Sequence, residues 1–294
     1  MRVLICGAAG QVGYELLRLA PEGIEVQGFN SITLDITCAA AVTRVVQGCR
    51  PDLIINAAAY TAVDKAESAQ QTAYAVNSKG VGNLAVLAEQ LAIPLLHIST
   101  DYVFPGDADR PYREADITGP RSIYGASKLE GEHQLAVACS RHIILRTSWV
   151  FGSHGNNFVK TMLRLARERE ELAVVADQQG CPTSAASIAR ALWDMVVRYR
   201  DTGSLPWGLY HFCGTPASDW HEFANEIFRQ GRELGLLAVI PRLKAISTDE
   251  YPAPAQRPAW SVLDCRKIKQ SVGIEQPSWQ VELEGVLKEL AEGQ

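Results

Sequence analysis

Short runs of apolar residues alternate with stretches of helical periodicity through the first half of the chain. Strands are predicted over Arg2–Cys6, Glu25–Phe29, Asp52–Ile55, Pro94–Ser99 and His142–Arg146. Helices are predicted between them over Tyr14–Leu19, Ala39–Gln47, Thr72–Leu91 and Tyr124–Cys139. The strands read as continuous apolar runs, not as alternating ones. A strand needs that pattern when both faces of its sheet are covered. The expected fold is therefore α/β, a doubly wound parallel sheet of Rossmann type.

The alternation loosens near residue 150. Phe158–Glu171 and Ser187–Tyr199 read as helices, with Pro182, Pro206, Pro216 and Pro241 marking turns. Tyr251–Pro258 carries three prolines and cannot form a regular helix. The expected organisation is a dinucleotide-binding domain over 1–150 and a smaller substrate-binding lobe over 151–294. Some elements of the second half are expected to return to the first.

The 294 residues suffice for a full core. The net charge of −5 gives no electrostatic footprint for nucleic acid. The seven cysteines, at 6, 38, 49, 139, 181, 213 and 265, are odd in number and never spaced as C-x-x-C. Neither a disulfide framework nor a zinc site is expected, and a reducing cytoplasm fits best. Cys6 reads as a small apolar filler. Gly7-Ala8-Ala9-Gly10 interrupts the first apolar run too early for a leader. No apolar run approaches the roughly 20 residues that span a bilayer, so no membrane partner is expected.

Chemistry enters at Gly7-x-x-Gly10-x-x-Gly13, between the first strand and the first helix. A helix N-terminus there offers free N–H groups and a partial positive charge to a pyrophosphate, and glycines let the backbone approach. At the end of the second strand an NAD site often carries a carboxylate for the ribose. Asn30-Ser31 stands there instead, which leaves NADPH and NADH both open. Asp35-Ile36 could meet the adenine edge, or Asp35 could be a turn carboxylate. Asn56-Ala57-Ala58-Ala59 ends the third strand with small side chains, suited to a cofactor lying across the sheet edge or to tight packing.

Tyr124 and Lys128 share one helix face, one turn apart. A phenol titrates near 10, and a lysine charge beside it would favour the phenolate and lower that value. Ser99-Thr100-Asp101 closes the fourth strand at its carboxyl end, where such folds bind ligands. The Thr100 hydroxyl is placed to hydrogen-bond a substrate carbonyl. Alone, Tyr-x-x-x-Lys is a common surface pair. Its order after the glycine turn and Ser-Thr-Asp makes it specific for hydride-transfer chemistry.

These features resemble the extended short-chain dehydrogenase/reductase superfamily, and within it the dTDP-4-dehydrorhamnose reductases. The resemblance runs through most of the chain. It is carried by Gly7–Gly13, Asn56–Glu67, Ser99–Phe104, Tyr124–Lys128, Arg146–Phe151, Asn156–Phe158, Asp177–Thr183 and Arg257-Pro258. It implies reduction of the 4-keto group of dTDP-4-dehydro-L-rhamnose with NADPH or NADH. It further implies Tyr124 as proton donor, Lys128 as its partner and Thr100 as the carbonyl's anchor. Gln11, Val12, Asn30, Asp35, Ile36, Ala57, Ala58 and Ala59 would line the cofactor with the three glycines. Asp101, Trp149, Asn157 and Arg257 would face the nucleotide-sugar, Arg257 through its diphosphate; a core aromatic at Trp149 and a surface ion pair at Arg257 are the plainer readings. Some such enzymes bridge a dimer through a metal held by glutamates. Glu15 and Glu289 match two of those positions, but Ala186 stands at the third. No metal is expected, and monomer and homodimer both stay open.

A reductase of another dTDP-4-keto-6-deoxy sugar, or one that sets the opposite configuration at C4, stays open, and two other classes compete. A dehydratase of this superfamily carries Thr-Asp-Glu, whereas Tyr102 follows Asp101 here; an epimerase would retain oxidised NAD. A non-catalytic NADP-binding regulatory subunit can lack the tyrosine or the lysine, and this chain has both.

Overall fold

The computed structural model describes residues 1–293. The first half runs β1 (Arg2–Cys6), α1 (Gln11–Arg18), β2 (Glu25–Phe29), α2 (Ala39–Cys49), β3 (Leu53–Asn56), α3 (Val63–Ala66), α4 (Gln70–Tyr74), α5 (Gly80–Gln90), β4 (Leu95–Thr100), α6 (Ile123–Ala138) and β5 (His142–Thr147). The rest runs β6 (Val150–Phe151), α7 (Phe158–Glu168), β7 (Glu171–Val175), β8 (Gln179–Gly180), β9 (Thr183–Ser184), α8 (Ala185–Thr202), β10 (Gly208–His211), β11 (Ser218–Asp219), α9 (Trp220–Glu233), β12 (Arg242–Ile246), α10 (Arg266–Val272) and α11 (Trp279–Glu292).

Six strands form the central sheet in the order β10-β5-β4-β3-β1-β2. Every pairing in it is parallel. β1, β3, β4 and β5 are buried almost throughout, as their unbroken apolar runs require. The strand order reverses between β1 and β3, and a crevice opens there at their carboxyl ends.

Helices cover both sheet faces. One core joins Leu4, Ile54, Leu95 and Ile144 to Val42, Val81 and Leu84 of the helices on that side. The other joins Val3, Ile5, Ile55 and Leu145 to Ile188, Leu192 and Val196 of α8. A third cluster, with Phe151, Phe223, Phe228, Trp279 and Leu287, lies wholly in the second half. The chain therefore returns to the first sheet through α8 and β10, and the later helices wrap a core of their own.

Differences from expectation are local. The first helix starts at Gln11 and not at Tyr14, because Gly13 lets its opening turn pass against the glycine loop. The helix expected over Phe158–Glu171 stops at Glu168, and Glu171–Val175 pairs with β12 instead. The helix expected over Thr72–Leu91 runs unbroken to Gln90 but holds one π turn, Ala75–Lys79. That turn presents buried Asn77, which bonds both backbone groups of Tyr60 and the Ser127 hydroxyl of α6. All seven cysteines are free thiols. Among the described residues no helix is long and apolar enough to cross a membrane.

Candidate active site

A cleft of about 540 Å³ opens at the carboxyl ends of the central strands. Its floor begins at the glycine turn. Gly7 takes φ +80°, and a side chain there would sit 2.5 Å from the Ala58 nitrogen. At Gly13 a Cβ would come within 2.1 Å of the Gly7 carbonyl. Both positions need glycine for close packing. Gly10 caps α1 without a side-chain hydrogen bond. The first N–H groups of α1 are thus left for a ligand, with the helix dipole behind them. Gly10, Gln11 and Val12 line the cleft, as do Ala57 and Ala59 from the end of β3.

The opposite end is built by the end of β4 and the first turns of α6. Ser122 caps α6 through the Gly125 N–H, so the helix presents Tyr124 and Lys128 one turn apart toward the cleft. Gly125 packs so close to the Tyr102 carbonyl that a Cβ would stand 2.2 Å from it. Thr100 accepts from the Tyr102 N–H at 3.2 Å and donates to Asp101 Oδ1 at 3.0 Å. Thr100, Asp101, Tyr124 and Lys128 share this wall.

Burial governs the protonation of these groups. It pushes the Tyr124 phenol up to about 12; a hydrogen bond with Thr100 works against the rise and the Asp101 charge adds to it. Burial likewise lowers Lys128 to about 8, although Glu132 favours its charge. Asp101 rises to about 7 because burial outweighs its hydrogen bonds, and its Oδ2 has no partner. The expectation that Lys128 would lower Tyr124 is not met in this structure. The ammonium is turned away, with Nζ 2.6 Å from the Ile98 carbonyl and 3.2 Å from His97 Nε2. Behind it, Glu132 takes a bidentate pair from buried Arg146 at 2.9 and 2.6 Å, and a hydrogen bond from Ser99.

The outer wall is aromatic. Trp149 stacks on Trp220 with centroids 3.5 Å apart and rings 7° from parallel. Trp149 sits at φ +45°, the left-handed region, at a cost of order 1 kcal/mol. Its indole packs so tightly on Gly180 that a Cβ there would lie 2.4 Å away.

A family model described as RmlD substrate binding domain matches residues 1–292. The chain belongs to this family. A dTDP-4-dehydrorhamnose reductase of Aggregatibacter actinomycetemcomitans is 45% identical over 287 residues, 97% of this chain and 98% of that protein. The dTDP-4-dehydrorhamnose reductase of Escherichia coli K12 is 41% identical over 300 residues, covering 99% and 98%. The crystal structure of a Bacillus anthracis dTDP-4-dehydrorhamnose reductase in complex with NADP superposes with a TM-score of 0.90 at 40% identity, covering 98% and 99%.

Not every residue singled out in the sequence reaches the cleft of this family member. Asn30 closes its own turn, its Oδ1 accepting from the N–H groups of Ile32 and Thr33. Asp35 does the same for Thr37. Ile36 is buried in the core under α5, and Ala58 packs against that core. Asn157 caps α7 and donates to Gln11 Oε1 at 2.9 Å, which ties the two halves together beside the glycine turn. Arg257 pairs with Asp64 at 2.8 Å. Glu15 and Glu289 meet across Arg18, with Ala186 in the same hollow. Among the described residues no cluster of three or more His, Cys, Asp or Glu could hold a metal ion.

Sequence reasoning missed Trp220 and His97, and it named Asn56 only as the head of a run of small residues. Trp220 opens a helix 71 positions after Trp149 (220 − 149), and nothing in the local pattern links them. His97 did leave a signal, a polar residue inside an apolar strand, and so did the Asn56 that ends β3.

Proposed function

We propose that this chain reduces the 4-keto group of dTDP-4-dehydro-L-rhamnose with NADPH or NADH, giving dTDP-L-rhamnose. The observation that carries this reading is the cleft itself. One end is a glycine turn and an uncapped helix N-terminus, and the other holds Tyr124, Thr100 and Lys128. A dinucleotide fits the first end on the chain's own terms: glycines that admit no Cβ, free backbone donors, and alanines along the sheet edge. The nicotinamide, when bound, supplies the hydride.

The chain's residues do the rest. Tyr124 keeps its proton through the neutral range, so it is a phenol ready to donate to the oxygen of a reduced carbonyl. Thr100, bonded to Asp101 and facing Tyr124, orients that oxygen. Lys128, charged below about 8, would support the tyrosinate left after donation. Trp149 and Trp220 form a flat wall for the nucleotide-sugar, carried by the lobe of the second half. Tyr102, where a dehydratase needs a carboxylate, is a half-buried phenol on the cleft wall, and desolvation raises its pKa. That favours reduction over dehydration.

The test is nicotinamide absorbance with purified protein, either cofactor, and the keto-sugar generated in place. Loss of signal that requires both protein and sugar is expected. Tyr124→Phe should slow turnover by about a hundredfold or more. Unchanged turnover in that variant would sink the assignment.

A further inference from the structure

His97 is fully buried behind Lys128, with its Nε2 3.2 Å from the lysine nitrogen. Its Nδ1 lies 3.1 Å from the amide nitrogen of Asn56, itself fully buried. Asn56 is oriented by the backbone, because its Oδ1 accepts from the Ala58 N–H at 3.1 Å. Its amide nitrogen therefore faces the imidazole, and an amide nitrogen only donates. Nδ1 must accept, so the single proton of the neutral ring stands on Nε2. That N–H points at Lys128. An ammonium has three donors and no lone pair, so the two groups would meet proton to proton. An uncharged amine can accept from Nε2 while still donating to the Ile98 carbonyl at 2.6 Å.

We propose that Asn56 and His97 are positioning residues that weaken the hold of Lys128 on its ammonium proton through a backbone-anchored imidazole tautomer. This rests on the reductase reading only for the use made of Lys128. Burial keeps His97 itself from charging, and the Lys128 charge, where present, acts in the same direction. The other groups around Lys128 do not replace this control. Glu132, one turn along α6, favours the ammonium, but its carboxylate is held by Arg146 from β5. Tyr124 and Asp101 keep their protons to about 12 and about 7. The π turn packed on α6 brings neutral Asn77, and its Lys79 is exposed. Burial by itself lowers Lys128 to about 8, and the imidazole N–H would act in the same direction.

The test is nuclear magnetic resonance on protein without added nucleotide or sugar, so its outcome does not depend on reductase activity. In wild-type protein, ¹⁵N shifts of His97 should show Nε2 protonated and Nδ1 bare. Asn56→Asp offers Nδ1 an acceptor, so the proton should move to Nδ1. The Lys128 ammonium, followed by its ¹³Cε signal and assigned with Lys128→Met, should then lose its proton at least tenfold less readily. Adding His97→Leu to Asn56→Asp should remove most of that change, which separates the tautomer from the new charge. A wild-type His97 protonated on Nδ1 would overturn the proposal, even if the variants fail to fold. So would an Asn56→Asp effect that persists undiminished without His97.

Discussion

Asp101 should be a stability cost that the site carries for its position. The perturbation is Asp101→Asn, which keeps the shape and removes the charge. Asp101 is buried, with Oδ2 unpartnered, and it holds its proton up to about 7 against an ordinary 3.8. Between those values the folded chain binds more proton than the unfolded chain, so stability falls as pH rises. Below 3.8 the carboxyl is neutral in both states and costs nothing. Above about 7 the penalty is complete, at about 4 kcal/mol from ~1.4 kcal/mol per pH unit. The asparagine brings an offset of about 1–3 kcal/mol, since its amide nitrogen replaces an oxygen without a partner. That offset does not change with pH, so the trend isolates the carboxyl. The assay is urea unfolding of both proteins at pH 5 and pH 8.5. The variant's stability relative to wild type should grow by about 3 kcal/mol between them, or roughly 6 °C in Tm. A difference that stays flat with pH would refute the reasoning.

Three further outcomes are expected. Glu132→Ala leaves the Arg146 guanidinium buried without its carboxylate, and should cost about 3–5 kcal/mol in denaturant unfolding; a loss below about 1 kcal/mol would mean the pair is solvated. Gly13→Ala should abolish nucleotide binding or unfold the turn, since a Cβ has only 2.1 Å to the Gly7 carbonyl; Gly10→Ala, with 3.3 Å, should be far milder, and calorimetric titration with NADPH compares them. Trp220→Ala removes one face of the tryptophan stack and should raise KM for the keto-sugar about tenfold, with kcat little changed; an unchanged KM would place the sugar elsewhere.

The sheet was legible because its signal is local. A strand covered on both faces must be apolar at consecutive positions, so β1, β3, β4 and β5 announce themselves within a few residues. The glycine turn was legible for the same reason, a strand, a turn and a helix in immediate succession. Tyr124, Lys128 and Thr100 were expected together because helix periodicity and strand ends fix where such residues point, and they share one wall of the cleft. What escaped notice depends on distant partners. The Trp149–Trp220 stack joins residues far apart in sequence, and the ion pair open to Arg257 has its partner, Asp64, 193 residues away. The direction of the Lys128 ammonium depends on His97, 31 residues earlier on a neighbouring strand. Spacing could place the lysine beside the tyrosine, but it could not show that a carbonyl and an imidazole would claim its nitrogen.

The sixth strand of the sheet comes late in the chain. β5 ends at Thr147, and its outer partner β10 begins only at Gly208. A chain leaving the ribosome therefore shows β5 as an open, apolar edge until residue 208 has been made and has emerged. An exposed edge of that kind templates pairing with other chains. Vectorial synthesis thus makes the first half dependent on the second, and a gene cut near residue 150 should yield an aggregating product and not a smaller nucleotide-binding protein.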